Sequence, residues 1–112
     1  MNSEKTTSAN ANASQRKARG YWVMTFRSTL DQGGIDKYAA TAGPVIRAHG
    51  GRVLAAGLPA LAYEDGLMQR VAIVEFNSLD AADAAYRSSE YQDAVKQLVG
   101  AAERDVRIVE GI

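Results

Sequence analysis

The last third of the chain constrains the fold most. From Arg70 onward it reads as one strand–helix–strand unit: RVAIVEF, then NSLDAADAAYRSSEYQDAVKQLVGAAE, then RDVRIVEG. The first run is apolar and β-branched. The second carries Ala, Leu and Tyr at helical spacing, and the third returns to β-formers. Upstream, GYWVMTF and a helical stretch ending in HGGRVL supply a similar half. The resulting β-α-β-β-α-β order predicts a ferredoxin-like α+β fold: a four-stranded antiparallel sheet with its helices on one face. Fold alone does not specify function, because this plan hosts many chemistries.

The boundaries follow from local signals. The predicted first strand is Tyr21 to Arg27, followed by a loop over Ser28 to Gly34. Ile35, Tyr38, Ala39, Ala42 and Ile46 form one stripe of a helix over Ile35 to Ala48. Pro44 inside it lacks a backbone donor and is expected to kink or divide it, and Gly50-Gly51 supplies a left-handed stop. A second strand spans Arg52 to Ala56. Asp65-Gly66 reads as a hairpin-type turn before a third strand at Met68 to Phe76. Ser78 or Asp80 caps a short helix ending near Tyr86. Ser88-Ser89-Glu90 marks a break before a second helical piece, Tyr91 to Val99. The last strand is predicted at Asp105 to Glu110.

Among 112 residues, 2–19 contain no Val, Ile, Leu, Met or aromatic. Such a segment cannot offset the entropy of ordering, so residues 1–19 are expected to be a disordered tail and 20–112 a single domain. Lys5, Arg16, Lys17 and Arg19 against Glu4 make the tail basic and leave the body acidic. A body without positive excess argues against nucleic acid as partner. There is no cysteine, which excludes disulfides, thiolate nucleophiles and thiolate metal sites. No run is apolar for long enough to span a bilayer and no secretory signal is evident, so no membrane partner and a cytoplasmic location are expected. A body this small, with one bare sheet face, is expected to form a homodimer that covers it.

GYWV, HGGRVL, RVAIVEF, AAYRSSEYQ and the terminal IVEG, in that order, resemble domain-of-unknown-function family 1330 of the dimeric α+β barrel superfamily. The resemblance covers Gly20 to Gly111. It implies a ferredoxin-like protomer that pairs its sheet with a second copy and can enclose a pocket between sheet and helices. Relatives in that superfamily include cofactor-independent monooxygenases, haem binders, lyases, isomerases and ligand-sensing modules. Two features depart from the family pattern. Ala56-Gly57-Leu58 stands where members often carry Arg-Gly-Gly, and Leu98 where they often carry Arg. The resemblance, less those two cations, implies an apolar ligand.

Candidate chemistry is sparse. Glu75 is a carboxylate inside an apolar strand: a pocket acid or base, or half of an ion pair with Arg52, Arg70 or Arg107. His49, the single histidine, is either a general base or a cap on the first helix. Tyr86 is the third catalytic candidate. Trp22, Tyr38, Tyr91, Arg52 and Arg70 are the substrate-binding candidates, with core packing as the alternative for the aromatics. No phosphate-binding loop, nucleophile elbow or metal-ligand spacing occurs. These residues point to a small-molecule enzyme with no tightly bound cofactor and no metal. It would do acid–base chemistry (isomerisation, lyase or cyclase chemistry, or oxygen insertion) on a modest, largely apolar metabolite of the kind found in secondary metabolism. The alternative is a non-catalytic, ligand-binding or stress-associated dimer.

Overall fold

Strict alternation along the first strand divides the protein into two faces. In β1, Gly20–Thr29, the side chains of Trp22, Met24 and Phe26 are buried, while Tyr21, Val23 and Thr25 point the other way and stay half-exposed. The structure, a computed structural model, describes residues 18–112. The expected tail therefore lies almost wholly outside the described residues.

After β1 come helix α1 (Gln32–Ala48), β2 (Arg52–Gly57), β3 (Val71–Phe76), α2 (Leu79–Arg87), α3 (Ser89–Val95), one 3₁₀ turn (Lys96–Leu98) and β4 (Ala102–Glu110). The sheet order is β2-β3-β1-β4 with every neighbouring pair antiparallel. This is the predicted α+β, ferredoxin-like plan. Ala72, Val74 and Phe76 of β3 join the buried face of β1, and Ile35, Tyr38, Ala42 and Ile46 of α1 and Tyr91 and Ala94 of α3 close over it. The opposite face pairs Tyr21 with Glu75, Val23 with Ile73 and Thr25 with Val71 across β1 and β3, and no helix of the described residues covers it.

Several boundaries differ from the sequence expectation, each for a local reason. Gly33 and Gly34 are not loop but the first turn of α1, because the Asp31 carboxylate accepts from the Gly33 N–H at 2.9 Å and caps the helix earlier. Glycine at 34 serves close packing: a Cβ there would lie 2.5 Å from Ala101 Cβ. Pro44 does not divide α1, which runs unbroken to Ala48. The hairpin turn predicted at Asp65-Gly66 does not form: a turn sits one residue earlier, centred on Glu64 and Asp65 with Gly66 N–H bonded to Tyr63 O and Glu64 at φ 54°, inside a long connection over 58–70 with no strand beside it. β3 therefore starts at Val71, not Met68. Ser78 and Ser88 cap α2 and α3 as their sequence signals suggested. Gly50 adopts φ 81° and stops α1.

Candidate functional site

The α1 stripe does not seal completely against the sheet. Ala39, Ala42 and Gly43 on the helix and Ala56 and Ala72 on the strands are small, and between them lies a cavity of about 120 Å³. Phe26, Ile35, Ile46, Val53 and Val74 line it with Met24 and Tyr38, and Arg70 and Arg104 are its charged groups. Small side chains opposite large ones leave room for a guest, and the apolar lining favours an organic one.

At the cavity wall a largely buried polar cluster joins three elements. The hydroxyls of Tyr38, on α1, and Tyr91, on α3, share a hydrogen bond. Arg104, on β4, donates from Nη1 to Tyr38 Oη at 3.1 Å and from Nη2 to Tyr91 Oη at 3.0 Å. Nη1 also lies 3.1 Å from Met24 Sδ, and the guanidinium carbon stands 4.9 Å from the centre of the Tyr38 ring. Tyr91 is fully buried, and this desolvation, with Tyr38 beside it, pushes its pKa far above the ordinary phenol value; Arg104 opposes the shift and does not win. Tyr91 is thus a permanent O–H donor at neutral pH. Desolvation also works against the charge on Arg104, but the two phenols outweigh it and the group stays a cation. A cation held against a phenol at a pocket wall can stabilise developing negative charge on a bound molecule and steer a proton to or from it.

Trp22 is the keystone behind this cluster rather than part of the pocket wall. Its indole N–H donates to Ala82 O at 2.8 Å, and its ring centroid is 4.7 Å from Tyr91, 4.8 Å from Phe76 and 5.8 Å from Tyr86. Tyr86 packs half-buried against the same rings.

Glu75 occupies the other side of the molecule. It lies on the helix-free face, where it accepts from Tyr21 Oη at 2.8 Å and from Arg52 Nε and Nη2 at 3.1 and 2.9 Å, with Arg19 Nε at 3.8 Å. The Tyr21 hydroxyl and then Arg52 hold its carboxyl below the ordinary carboxylate value, against a smaller cost of burial. Tyr21 is pushed up in return. His49 is the C-terminal cap residue of α1, its backbone N–H bonded into the last turn, and it does not line the cavity.

Of the sequence candidates, Tyr38 and Arg70 line the cavity and Tyr91 hydrogen-bonds Tyr38 from behind its wall, with Trp22 and Tyr86 packed against Tyr91. The structure does not bring Glu75, Arg52 or His49 to that pocket. Glu75 and Trp22 belong to opposite faces of the sheet. Arg104 was missed. The final strand was expected to begin at Asp105, which left Arg104 outside it, whereas β4 begins at Ala102 and its alternation Ala102, Arg104, Val106, Ile108 faces the helices. The signal was that two-residue period extended backward by three residues. Among the described residues no cluster of three or more His, Cys, Asp or Glu could hold a metal ion, and no helix is long and apolar enough to cross a membrane.

Comparisons with known proteins agree with this architecture. The family model described as domain of unknown function (DUF1330) matches residues 19–112. A solved protein of unknown function from Rhodopseudomonas palustris is 22% identical at a TM-score of 0.65, covering 97% of this chain and 95% of its own. SnoaB, a cofactor-independent oxygenase from Streptomyces nogalater, is 14% identical at a TM-score of 0.60, covering 82% of this chain and 91% of its own. A dimeric protein of unknown function with a ferredoxin-like fold from Bacteroides fragilis is 13% identical at a TM-score of 0.57, covering 82% and 95%. At these identities the likeness is one of fold. Comparison with curated proteins found no match.

Proposed function

The chain belongs to domain-of-unknown-function family 1330, and from that premise we propose that it is a homodimer whose protomers each take a modest, largely apolar organic metabolite into the cavity between α1 and the sheet. There it performs acid–base chemistry without a tightly bound cofactor. The reaction class is isomerisation, lyase or cyclase chemistry, or oxygen insertion into an activated carbon acid. The observation that carries this reading is the Tyr38–Tyr91–Arg104 cluster at the wall of an otherwise apolar cavity. Arg104 is partly buried at that wall, and withdrawing a cation from water is costly unless it is hydrogen-bonded or used. Tyr38 is the phenol that lines the cavity, so it is the group assigned to touch the substrate, with Arg104 stabilising charge and Tyr91 holding both in place.

The homodimer is supported by the half-exposed Val23–Ile73 pair on the helix-free face and by the fold-level likeness to a dimeric protein. The oxygenase SnoaB supports the enzyme reading only as far as shared architecture goes.

The test is proton exchange. Full-length protein is incubated in D₂O with a panel of small apolar carbon acids, and loss of the acidic C–H signal is followed by proton NMR. Enzyme-dependent exchange that falls by about 10²-fold in Tyr38→Phe, while Glu75→Gln retains it, supports the assignment. Binding without exchange by any panel member favours the alternative, a non-catalytic ligand-binding dimer. Neither binding nor exchange defeats both.

A further inference from the structure

Arg104 carries a positive charge into the protein, and among the described residues no acid meets it. None of the ion pairs among the described residues includes it, and the groups that bear on its charge are the phenols of Tyr38 and Tyr91. Both phenol oxygens accept hydrogen bonds from it. The Nη1 and Nη2 ends of the guanidinium are occupied by the two tyrosine oxygens and Met24 Sδ, but its Nε–H has no acceptor among the described residues. A guanidinium has five N–H donors in a rigid fork suited to planar oxyanions. The second cation of the cavity, Arg70, is half-buried and its side chain likewise makes no ion pair or side-chain hydrogen bond among the described residues. Of the acids on the strands, Glu75 pairs with Arg52 and Asp105 with Arg27 and Arg107, while Glu103 accepts from Ser28 Oγ; none of these, nor Glu110, forms an ion pair with Arg104 or lines the cavity. All three of those arginines are more exposed than Arg104.

Two unpaired cations on one apolar cavity, with no carboxylate among the lining residues, leave a charge that a ligand can balance. We propose that the cavity selects a small organic molecule with an apolar body and a planar oxyanion, a carboxylate in its simplest form, whose charged end is met by Arg104 with Arg70 as the second cation. This rests on reading the cavity as a small-molecule site and adds the chemical class of its ligand. It also amends what the absent family arginines implied. The loss of cations at Ala56-Gly57-Leu58 and Leu98 does not leave the cavity neutral, because Arg70 and Arg104 enter it from other positions. Size supports a compact guest: about 120 Å³ suits a single ring or a short chain. The apolar body would lie along Ile35, Ile46, Val53 and Val74, where there is no polar side chain to desolvate.

The test compares charge at constant shape. Full-length protein is titrated at pH 7.5 with benzoate and hexanoate, and with benzamide and hexanamide, by calorimetry and by chemical shifts of the Tyr38 ring. The acids should bind at least about tenfold tighter than the amides, with one site per chain, a gap of about 1.4 kcal/mol. Arg104→Met should abolish that preference, Arg70→Gln should reduce it, and Arg52→Gln, on the far face, should leave it intact. If acids and amides bind equally, the anion inference fails while the small-molecule reading stands. If neither class binds, both fail. Loss of the preference in Arg52→Gln would place the anion on the other face and overturn the proposal. Should Arg104→Met fail to fold, the wild-type acid-to-amide ratio and the Arg70→Gln variant decide the matter alone.

Discussion

The hydroxyls of Tyr38 and Tyr91, 53 residues apart in sequence, hydrogen-bond to each other beneath the guanidinium of Arg104. The two phenols are not equivalent. Tyr38 lines the cavity, whereas Tyr91 is fully buried against Trp22 and faces no open space. One is placed to meet a ligand and the other to hold the first.

That difference predicts a split between two conservative variants. Tyr91→Phe removes the acceptor of Arg104 Nη2 and leaves a partly buried donor unpaired, which should cost about 1 kcal/mol. For a domain of this size, that lowers the thermal midpoint by several degrees. Tyr38→Phe should perturb ligand binding or turnover more than stability. Calorimetric melting of both variants beside a binding titration checks this. If Tyr38→Phe melts earlier than Tyr91→Phe and binds normally, the roles are reversed.

Glu75 gives a pH signature instead. Its carboxyl is held below the ordinary value of 4.5 by the Tyr21 hydroxyl and then by Arg52. A depressed carboxyl contributes stability that is present above its unfolded pKa and lost as pH falls through the folded one. Urea midpoints should therefore decline below about pH 4.5 in the native protein and decline less in Glu75→Gln. Turnover and cavity binding should survive that substitution. A loss of turnover by about 10²-fold with normal folding would return catalysis to the helix-free face.

Tyr21 works in the opposite direction. Its phenol is raised, first by its hydrogen bond to Glu75, so its contribution is present below the unfolded value of 10.0 and is lost as pH rises through the folded one. Tyr21→Phe should flatten the alkaline limb of the same stability profile. An unchanged alkaline limb would show that the Tyr21–Glu75 contact does not persist in solution.

The turn after α1 separates two kinds of glycine requirement. Gly50 has φ 81° and open surroundings, so Gly50→Ala should cost about 1 kcal/mol through backbone conformation. At Gly51 a Cβ would stand 2.6 Å from Ile46 Cγ2 and 2.8 Å from the Phe76 ring, so Gly51→Ala should cost about 1–3 kcal/mol through overpacking. Gly51→Ala should also narrow the cavity, since Ile46 lines it. Equal melting points for the two variants would refute the distinction.

The helix-free face should be the dimer surface. Val23 and Ile73 are direct cross-strand partners there and are half-buried even in one protomer. Sedimentation of the native chain should give twice the chain mass, and Ile73→Glu should shift it to monomer without unfolding it. A native monomer at dilute concentration would refute the assignment.

Element order, both serine caps, the glycine stop and the ferredoxin-like plan were all legible in the amino-acid sequence, because each depends on residues within a few positions of one another. The sidedness of the strands was not. Alternation tells which residues share a face but not which face meets the helices. In VAIVEF, Val71 and Ile73 are as apolar as Ala72, Val74 and Phe76, so composition alone does not tell that the set holding Glu75 is the helix-free one. Trp22 and Val74 are cross-strand partners on the buried face, and only the register of β1 with β3 and the packing of α1 decide that Glu75 lies opposite them. The candidate site needed still more of the fold. Tyr38, Tyr91 and Arg104 come from α1, α3 and β4, and sequence spacing says nothing about three groups that converge only when the sheet closes under its helices. Local chemistry selects the elements, whereas the cavity and its charge arise from long-range packing of those elements against one another.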